Sequence, residues 1–281
     1  MNAIVERYDT NAGDYARYWA PVLEATSRRL LDLLDGFVAQ IDGEVRVLDV
    51  GTGTGTLALA AAARWPGAEV IASDAAQGML DVARSRAAEN GLSATDRLRF
   101  VHGPADLLPL PDGSVDLVIS SFVLQLVPDR LAALREAHRL LRPGGRLAYV
   151  TWLDREAREP FVPMEEFDEA VLDLGVDEPD EPAEDHAGDV PSARAASSQL
   201  RRAGFRGVSA HEDQLVYDWT LESYLDYKLA YDERALMSML TAEQRSRLEQ
   251  LARQRLARLS PTEFRWHAPI VFARGDRPTR R

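Results

Sequence analysis

The chain has 281 residues, 46% hydrophobic and 28% charged, and its 33 basic against 45 acidic residues leave a formal net charge of −12. This balance suits a soluble chain of one large domain or two small ones, and it lacks the basic footprint that a nucleic-acid partner requires. The absence of cysteine excludes disulfides, a thiolate nucleophile and Cys-ligated zinc or iron–sulfur clusters. Met1 to Thr10 carries Glu6, Arg7 and Asp9 and no apolar run, so a signal peptide is not expected. No stretch approaches the ~20 apolar residues of a membrane span, and the expected location is cytoplasmic.

Asn11 to Phe37 reads as helix, with Tyr15, Tyr18, Trp19, Val22, Leu23, Leu30 and Leu34 at three- and four-residue spacing. Strands and helices then alternate. Val45–Val50 is a first strand, Thr56–Arg64 an Ala/Leu helix stopped by Pro66-Gly67, and Glu69–Ser73 a second strand. A helix from about Ala76 to Glu89 ends at Asn90-Gly91, and Leu98–Val101 is a third strand. Val115–Ser120 is a fourth, Asp129 caps a helix reaching Leu141, Pro143-Gly144-Gly145 turns the chain, and Arg146–Trp152 is a fifth. The alternation predicts an α/β fold with a mainly parallel, doubly wound sheet.

Beyond Trp152 the pattern changes. Asp154 to Asp189 carries fifteen acidic residues against two basic ones, so this segment holds essentially all the net charge. Its first part sets Phe161, Met164, Phe167, Val171 and Leu174 on one helical face, as a lid helix would. Its second part, Asp177 to Asp189, reads as a solvated low-complexity loop. The competing readings are an attractor for a cationic substrate, or a latch against the arginines of Thr241 to Leu259 (Arg245, Arg247, Arg253, Arg255 and Arg258). A strand at Val208–Asp218, helices between Leu221 and Leu259 and a strand at Glu263–Ala273 complete the chain.

The first strand runs into Asp49-Val50-Gly51-Thr52-Gly53-Thr54-Gly55 and then a helix. Glycines at such a turn let backbone N–H groups approach a ligand near a helix N-terminus. The dinucleotide fingerprint would want Gly or Ala where Thr56 stands, and Asp49 would repel a pyrophosphate. Asp74 closes the second strand, where a carboxylate can accept two hydrogen bonds from a ribose diol. Asp106 follows the third strand in Gly103-Pro104-Ala105-Asp106-Leu107. From there it can accept from an adenine amino group while the Leu107 N–H donates to the ring. Each aspartate alone could equally be a turn or capping carboxylate.

Taken together, Val47 to Gly55, then Asp74 with Met79-Leu80, then Ala105 to Asp112, then Leu140 to Gly145 resemble a class I S-adenosylmethionine-dependent methyltransferase of the small-molecule, quinone-biosynthesis-like type. The resemblance covers about residues 8 to 152. It implies a Rossmann-like seven-stranded sheet, mostly parallel with the last strand antiparallel, with N-terminal cap helices and C-terminal helical lid insertions. One methyltransferase domain would span 1–281: a cap at 1–40, a cofactor-binding core at 41–153, an acidic lid segment at 154–190, and the end of the sheet at 191–281 with a helical insertion at 219–260.

The resemblance further implies S-adenosyl-L-methionine as cofactor, S-adenosyl-L-homocysteine as product, and a small-molecule methyl acceptor reacting at O, N or C. Asp49, Gly51, Thr52, Gly53 and Gly55 would line the methionine part, Asp74 and Ala75 the ribose, and Met79, Ala105, Asp106 and Leu107 the adenine. Ser120, Ser121 and Phe122 would face the methionine end and the acceptor, with Tyr15 closing over the cofactor. Quinone O-methyltransferases that resemble this region carry a Glu-His pair before the valine, where this chain has Gln125-Leu126-Val127, which argues against metal- or His-assisted O-methylation. The absence of cysteine argues against an arsenite methyltransferase, and no Asn-Pro-Pro-Tyr motif marks an adenine N-methylase. No catalytic residue is assigned: His102 and His138 read as structural or surface groups and His186 as solvated, while His211 and His267 are the two that could face a substrate. The other function classes are an idle adenosyl-binding protein, an NAD(P)-dependent oxidoreductase and an interaction module using the acidic loop.

Overall fold

The computed structural model describes residues 3–92, 97–154, 160–176 and 186–279. Seven strands form one sheet in the order β3-β2-β1-β4-β5-β7-β6. They are β1 (Arg46–Val50), β2 (Glu69–Asp74), β3 (Leu98–His102), β4 (Val115–Ser121), β5 (Leu141–Trp152), β6 (Arg206–Asp218) and β7 (Arg265–Asp276). The pairings from β3 through β5 are parallel, whereas β7 lies antiparallel to both β5 and β6. The last strand is therefore the reversed one, as the resemblance implies.

Both faces of the sheet are covered, which is why the central strands read as nearly continuous apolar runs. Val47, Val70, Leu117, Ile119 and Val150 pack into one core, and Leu48, Ile71, Val118, Leu147 and Tyr149 into the other. Full burial of each such aliphatic side chain contributes about 1.5 to 3 kcal/mol. The strand-joining helices are α5 (Thr56–Arg64), α6 (Gln77–Glu89) and α7 (Arg130–Leu140). Asp129 caps α7 through a bond from the Ala132 N–H.

The N-terminal helix expected over 11–37 is interrupted. The structure has α1 (Ala3–Thr10), a single turn α2 (Ala12–Asp14), a wide π-turn at Tyr15–Trp19, α3 (Ala20–Asp32) and α4 (Asp35–Val38). Pro21 lies in the first turn of α3 and has no N–H to give to the turn before it, so the chain restarts there. The cap is pinned to the core by Asp9, whose Oδ1 accepts the Gly78 N–H at 2.6 Å beside the start of α6. A Cβ on Gly78 would sit 2.3 Å from the Asp9 carbonyl oxygen, so only glycine lets α1 approach this closely. Asp9→Ala is expected to cost about 1 kcal/mol, as loss of a capping carboxylate does, and to speed limited proteolysis between residues 3 and 20. Cleavage at the wild-type rate would show that Asp9 is not the pin.

The helical elements after β5 are α8 (Val162–Leu174), α9 (Ala193–Arg202), α10 (Leu221–Tyr227), a π-turn at Lys228–Asp232, α11 (Arg234–Met239) and α12 (Ala242–Leu256). Arg255 on α12 bridges Glu166, Glu169 and Asp173 on α8. These ion pairs of one arginine join α12 to α8. Residues 177–185, most of the stretch read as a solvated loop, lie outside the described residues. Lys228, the sole lysine of the chain, is buried between Asp232 and Glu233 and over the Phe167 ring. It ties the π-turn at Lys228–Asp232 to α8.

Candidate active site

The carboxyl ends of β1, β2 and β4 and the loop after β3 open into one cavity of about 350 Å³, closed from the N-terminal side by α1, the π-turn and α3. An open α/β sheet binds ligands at this edge, where the crossovers diverge from β1 and β4. Gly51, Gly53 and Gly55 all adopt positive φ between β1 and α5. The turn is held from outside by Arg86, whose guanidinium donates to the Thr54 carbonyl and to the hydroxyls of Thr54 and Thr56.

Asp49 is 1% exposed, and its Oδ2 accepts the Thr52 hydroxyl at 2.7 Å. Its Oδ1 has no hydrogen-bond partner among the described residues. Burial pushes the carboxyl up to about 7 against the Thr52 bond, and the neighbouring Asp74 charge pushes the same way. Asp74 accepts the Gly53 N–H at 2.8 Å on Oδ2 and the Ala76 N–H at 2.9 Å on Oδ1. Enclosure raises its pKa too, opposed by the N–H groups of Ala76, Gly53 and Ala75. Each oxygen keeps a further lone pair for a ligand hydroxyl.

Tyr15 lies over the glycine turn, its ring 3.8 Å from the position of a Cβ on Gly53, with Tyr8 edge-on at 5.7 Å and Tyr231 at 6.3 Å. Enclosure, together with Tyr8, Tyr231 and Asp74, holds its hydroxyl protonated well beyond the usual tyrosine range. At the other end, Phe122 adopts φ 56°, the sole non-glycine residue with positive φ among those described. That conformation is secured by its N–H bond to Val150, by Gln125 donating to its carbonyl, and by the Trp152 ring 4.2 Å away. Gln125, singled out in the sequence for replacing a histidine-containing pair, thus holds the bend, its Oε1 accepting from Thr151.

Of the residues expected at the cofactor, the cavity gathers Tyr15, Asp49, Gly51, Thr52, Gly53, Asp74, Ala75, Met79, Ala105, Asp106 and Ser121. Three stand outside its lining. Gly55 begins α5 with φ 85° and packs against Ala83, so its role is the turn itself. The Ser120 hydroxyl is buried and donates to the Val50 carbonyl. Leu107 is 72% exposed, and its N–H donates to Pro104 instead of facing a ring. None of the five histidines lines the cavity: His211 stacks on Phe272, His267 meets Gln214, His138 packs on Phe205, and His102 meets the Ala75 carbonyl. The sequence reading missed Ile4 and Val5 of α1 and the α3 face of Ala20, Leu23 and Ser27. The spacing of those three is helical and was legible, but nothing in it says that the face meets a ligand.

Residues 48–149 match the family model described as a methyltransferase domain. That segment of the chain is therefore similar to methyltransferase domains. It is 46% identical over 102 residues to a demethylmenaquinone methyltransferase from Thermus thermophilus, across 36% of this chain and 44% of that one. It is 38% identical over 141 residues to a malonyl-[acyl-carrier protein] O-methyltransferase from Xylella fastidiosa, across 50% of this chain and 42% of the relative. The matched part thus spans less than half of either relative. Among solved structures, the YcgJ protein from Bacillus subtilis superimposes with a TM-score of 0.58 at 21% identity, covering 90% of this chain and all of that one. That likeness shows the fold. Among the described residues no helix is long and apolar enough to cross a membrane.

Proposed function

We propose that the protein transfers a methyl group from S-adenosyl-L-methionine to an O, N or C atom of a small metabolite, leaving S-adenosyl-L-homocysteine. The observation that carries this reading is the meeting of three carboxylates, Asp49, Asp74 and Asp106, in one cavity at the end of a glycine turn roofed by Tyr15. The residues present fit the cofactor. Asp49 Oδ1 is a buried acceptor without a partner, suited to an ammonium group, and Asp74 has lone pairs left for a diol. Asp106 stands exposed at the mouth, where it can accept from an amino group.

Bound there, S-adenosylmethionine supplies a methyl group already activated as part of a sulfonium. The chain's task is then to position the acceptor and exclude water. Tyr8 and Tyr15 cover the cofactor half, and the aromatic faces present there stabilise positive charge. The remaining wall is apolar, built from the α3 face and the segment after β4.

Calorimetric titration with S-adenosylmethionine, S-adenosylhomocysteine and NAD tests the reading. Binding of the two adenosyl ligands alone is expected, and binding of NAD alone would overturn it. Asp74→Ala should weaken the affinity for S-adenosylhomocysteine by about 1.5 to 3 kcal/mol, the usual loss for hydrogen bonds to a charged acceptor. An unchanged dissociation constant would remove Asp74 from the site.

A further inference from the structure

The two halves of the cavity differ in chemistry. Its charged lining side chains are all carboxylates, and all stand at or beyond the ends of β1, β2 and β3. On the β4 side the wall is Ala20, Leu23, Phe122, Leu126 and Val127, interrupted by a single polar feature. That feature is a hydroxyl pair: Ser27 Oγ on α3 and Ser121 Oγ at the end of β4 lie 2.8 Å apart. Among the described residues no Lys, Arg or His lines either half.

The proton count of the pair fixes what it can read. Ser27 is 3% exposed and donates its one hydroxyl hydrogen to the Leu23 carbonyl at 3.0 Å, the usual back-bond of a helical serine. With that back-bond made, the bond between the two hydroxyls is donated by Ser121. The hydrogen of Ser121 is then spent, while its oxygen, at the cavity wall, accepts no hydrogen bond among the described residues. The pair presents lone pairs to the cavity and no hydrogen.

We infer that the acceptor half recognises an uncharged, mainly apolar molecule through one hydroxyl donated to Ser121. This specificity rests on the methyl-transfer reading, and it narrows the acceptor beyond that reading. A carboxylate or phosphate in this half would meet lone pairs and an apolar wall, and would lose its hydration without compensation. A donor hydroxyl completes the chain ligand–Ser121–Ser27–Leu23, with every hydrogen used once.

The test uses three probes matched in size, 4-ethylphenol, ethylbenzene and 4-ethylbenzoate, titrated into protein saturated with S-adenosylhomocysteine. The phenol is expected to bind about tenfold more tightly than ethylbenzene, the ratio for one hydrogen bond of about 1.4 kcal/mol, with the benzoate weakest. In Ser121→Ala, again saturated with S-adenosylhomocysteine, the preference for the phenol over ethylbenzene should vanish. In Ser27→Ala the Ser121 hydrogen is released toward the cavity, so benzoate binding should strengthen. Equal binding of phenol and ethylbenzene, benzoate binding as tight as phenol, or no phenol binding to the loaded protein would each overturn the inference while leaving the cofactor reading intact. Failure of S-adenosylhomocysteine itself to bind would instead sink the methyl-transfer reading, and this specificity with it.

Discussion

Asp49→Asn is expected to make the free protein more stable at pH 8 and, at the same time, a poorer binder of S-adenosylmethionine. The folded carboxyl has its pKa pushed up to about 7 from an ordinary value of 3.8, chiefly by burial. Between those two values the folded state holds a proton that the unfolded state has released, so stability falls as pH rises through this window. Above about 7 both states are ionised and the full penalty remains, on the order of 4 kcal/mol at 1.36 kcal/mol per unit. Asparagine removes the charge and keeps an oxygen for the Thr52 hydroxyl. The stability gain of the variant should therefore be small near pH 4, grow with pH and level off above about 7. Chemical denaturation at a series of pH values measures it. Affinity should move the other way, falling about 10- to 100-fold at pH 8 if the ionised Oδ1 receives the cofactor's ammonium. A variant that is less stable than wild type at every pH would show Asp49 to be an ordinary structural carboxylate.

That opposition of stability and binding was only half visible in the sequence. The position of Asp49 before the glycines was plain, because a β-type run ending in D-x-G-x-G-x-G has few structural uses. Its unpartnered oxygen was not, since it depends on how β1, β2 and α5 enclose the side chain. The strands were legible for a similar reason: the parallel core is buried on both faces, so each central strand is an apolar run bounded by turn residues. The breaks in the N-terminal helix were less so. Apolar spacing continues across the π-turn at Tyr15–Trp19, and only Pro21 announces the restart.

Two of the three misplaced residues, Ser120 and Leu107, sit one position away from residues that line the cavity, Ser121 and Asp106. Along a strand, adjacent side chains point to opposite faces, so Ser120 turns to Val50 while Ser121 turns to the ligand side. At Leu107 the local turn takes the N–H for Pro104. The wall of the cavity on the β4 side was illegible for a different reason. Leu23 and Ser27 on α3 meet Ser121 and Leu126 across about a hundred residues of sequence, and no local pattern records that juxtaposition.

Gly51→Ala is expected to lower both stability and cofactor affinity, and its cost divides into two separable parts. Gly51 has φ 69°, a left-handed conformation that costs an L-residue about 1 to 2 kcal/mol. Its added Cβ would also lie 2.4 Å from both Cγ atoms of Val123 and 2.9 Å from its Cβ. Valine is stiff about χ1, so it cannot swing aside, and such overpacking costs a further ~1 to 3 kcal/mol. The sum corresponds to a fall in Tm of roughly 5 to 15 °C for a chain of this size. Gly53→Ala is the internal control. Its φ of 54° carries the same conformational cost, but the nearest atom, on Tyr15, is 3.8 Å away. It should lose about half as much stability. Adding Val123→Ala to Gly51→Ala should relieve the clash but not the backbone strain, so the double variant is expected to recover to about the level of Gly53→Ala. Val123 lines the cavity next to the strained Phe122, so relief of the clash should restore cofactor affinity along with stability. If the double variant stays as unstable as Gly51→Ala alone, the contact with Val123 is not what reserves this position for glycine, and the left-handed backbone must account for the whole effect.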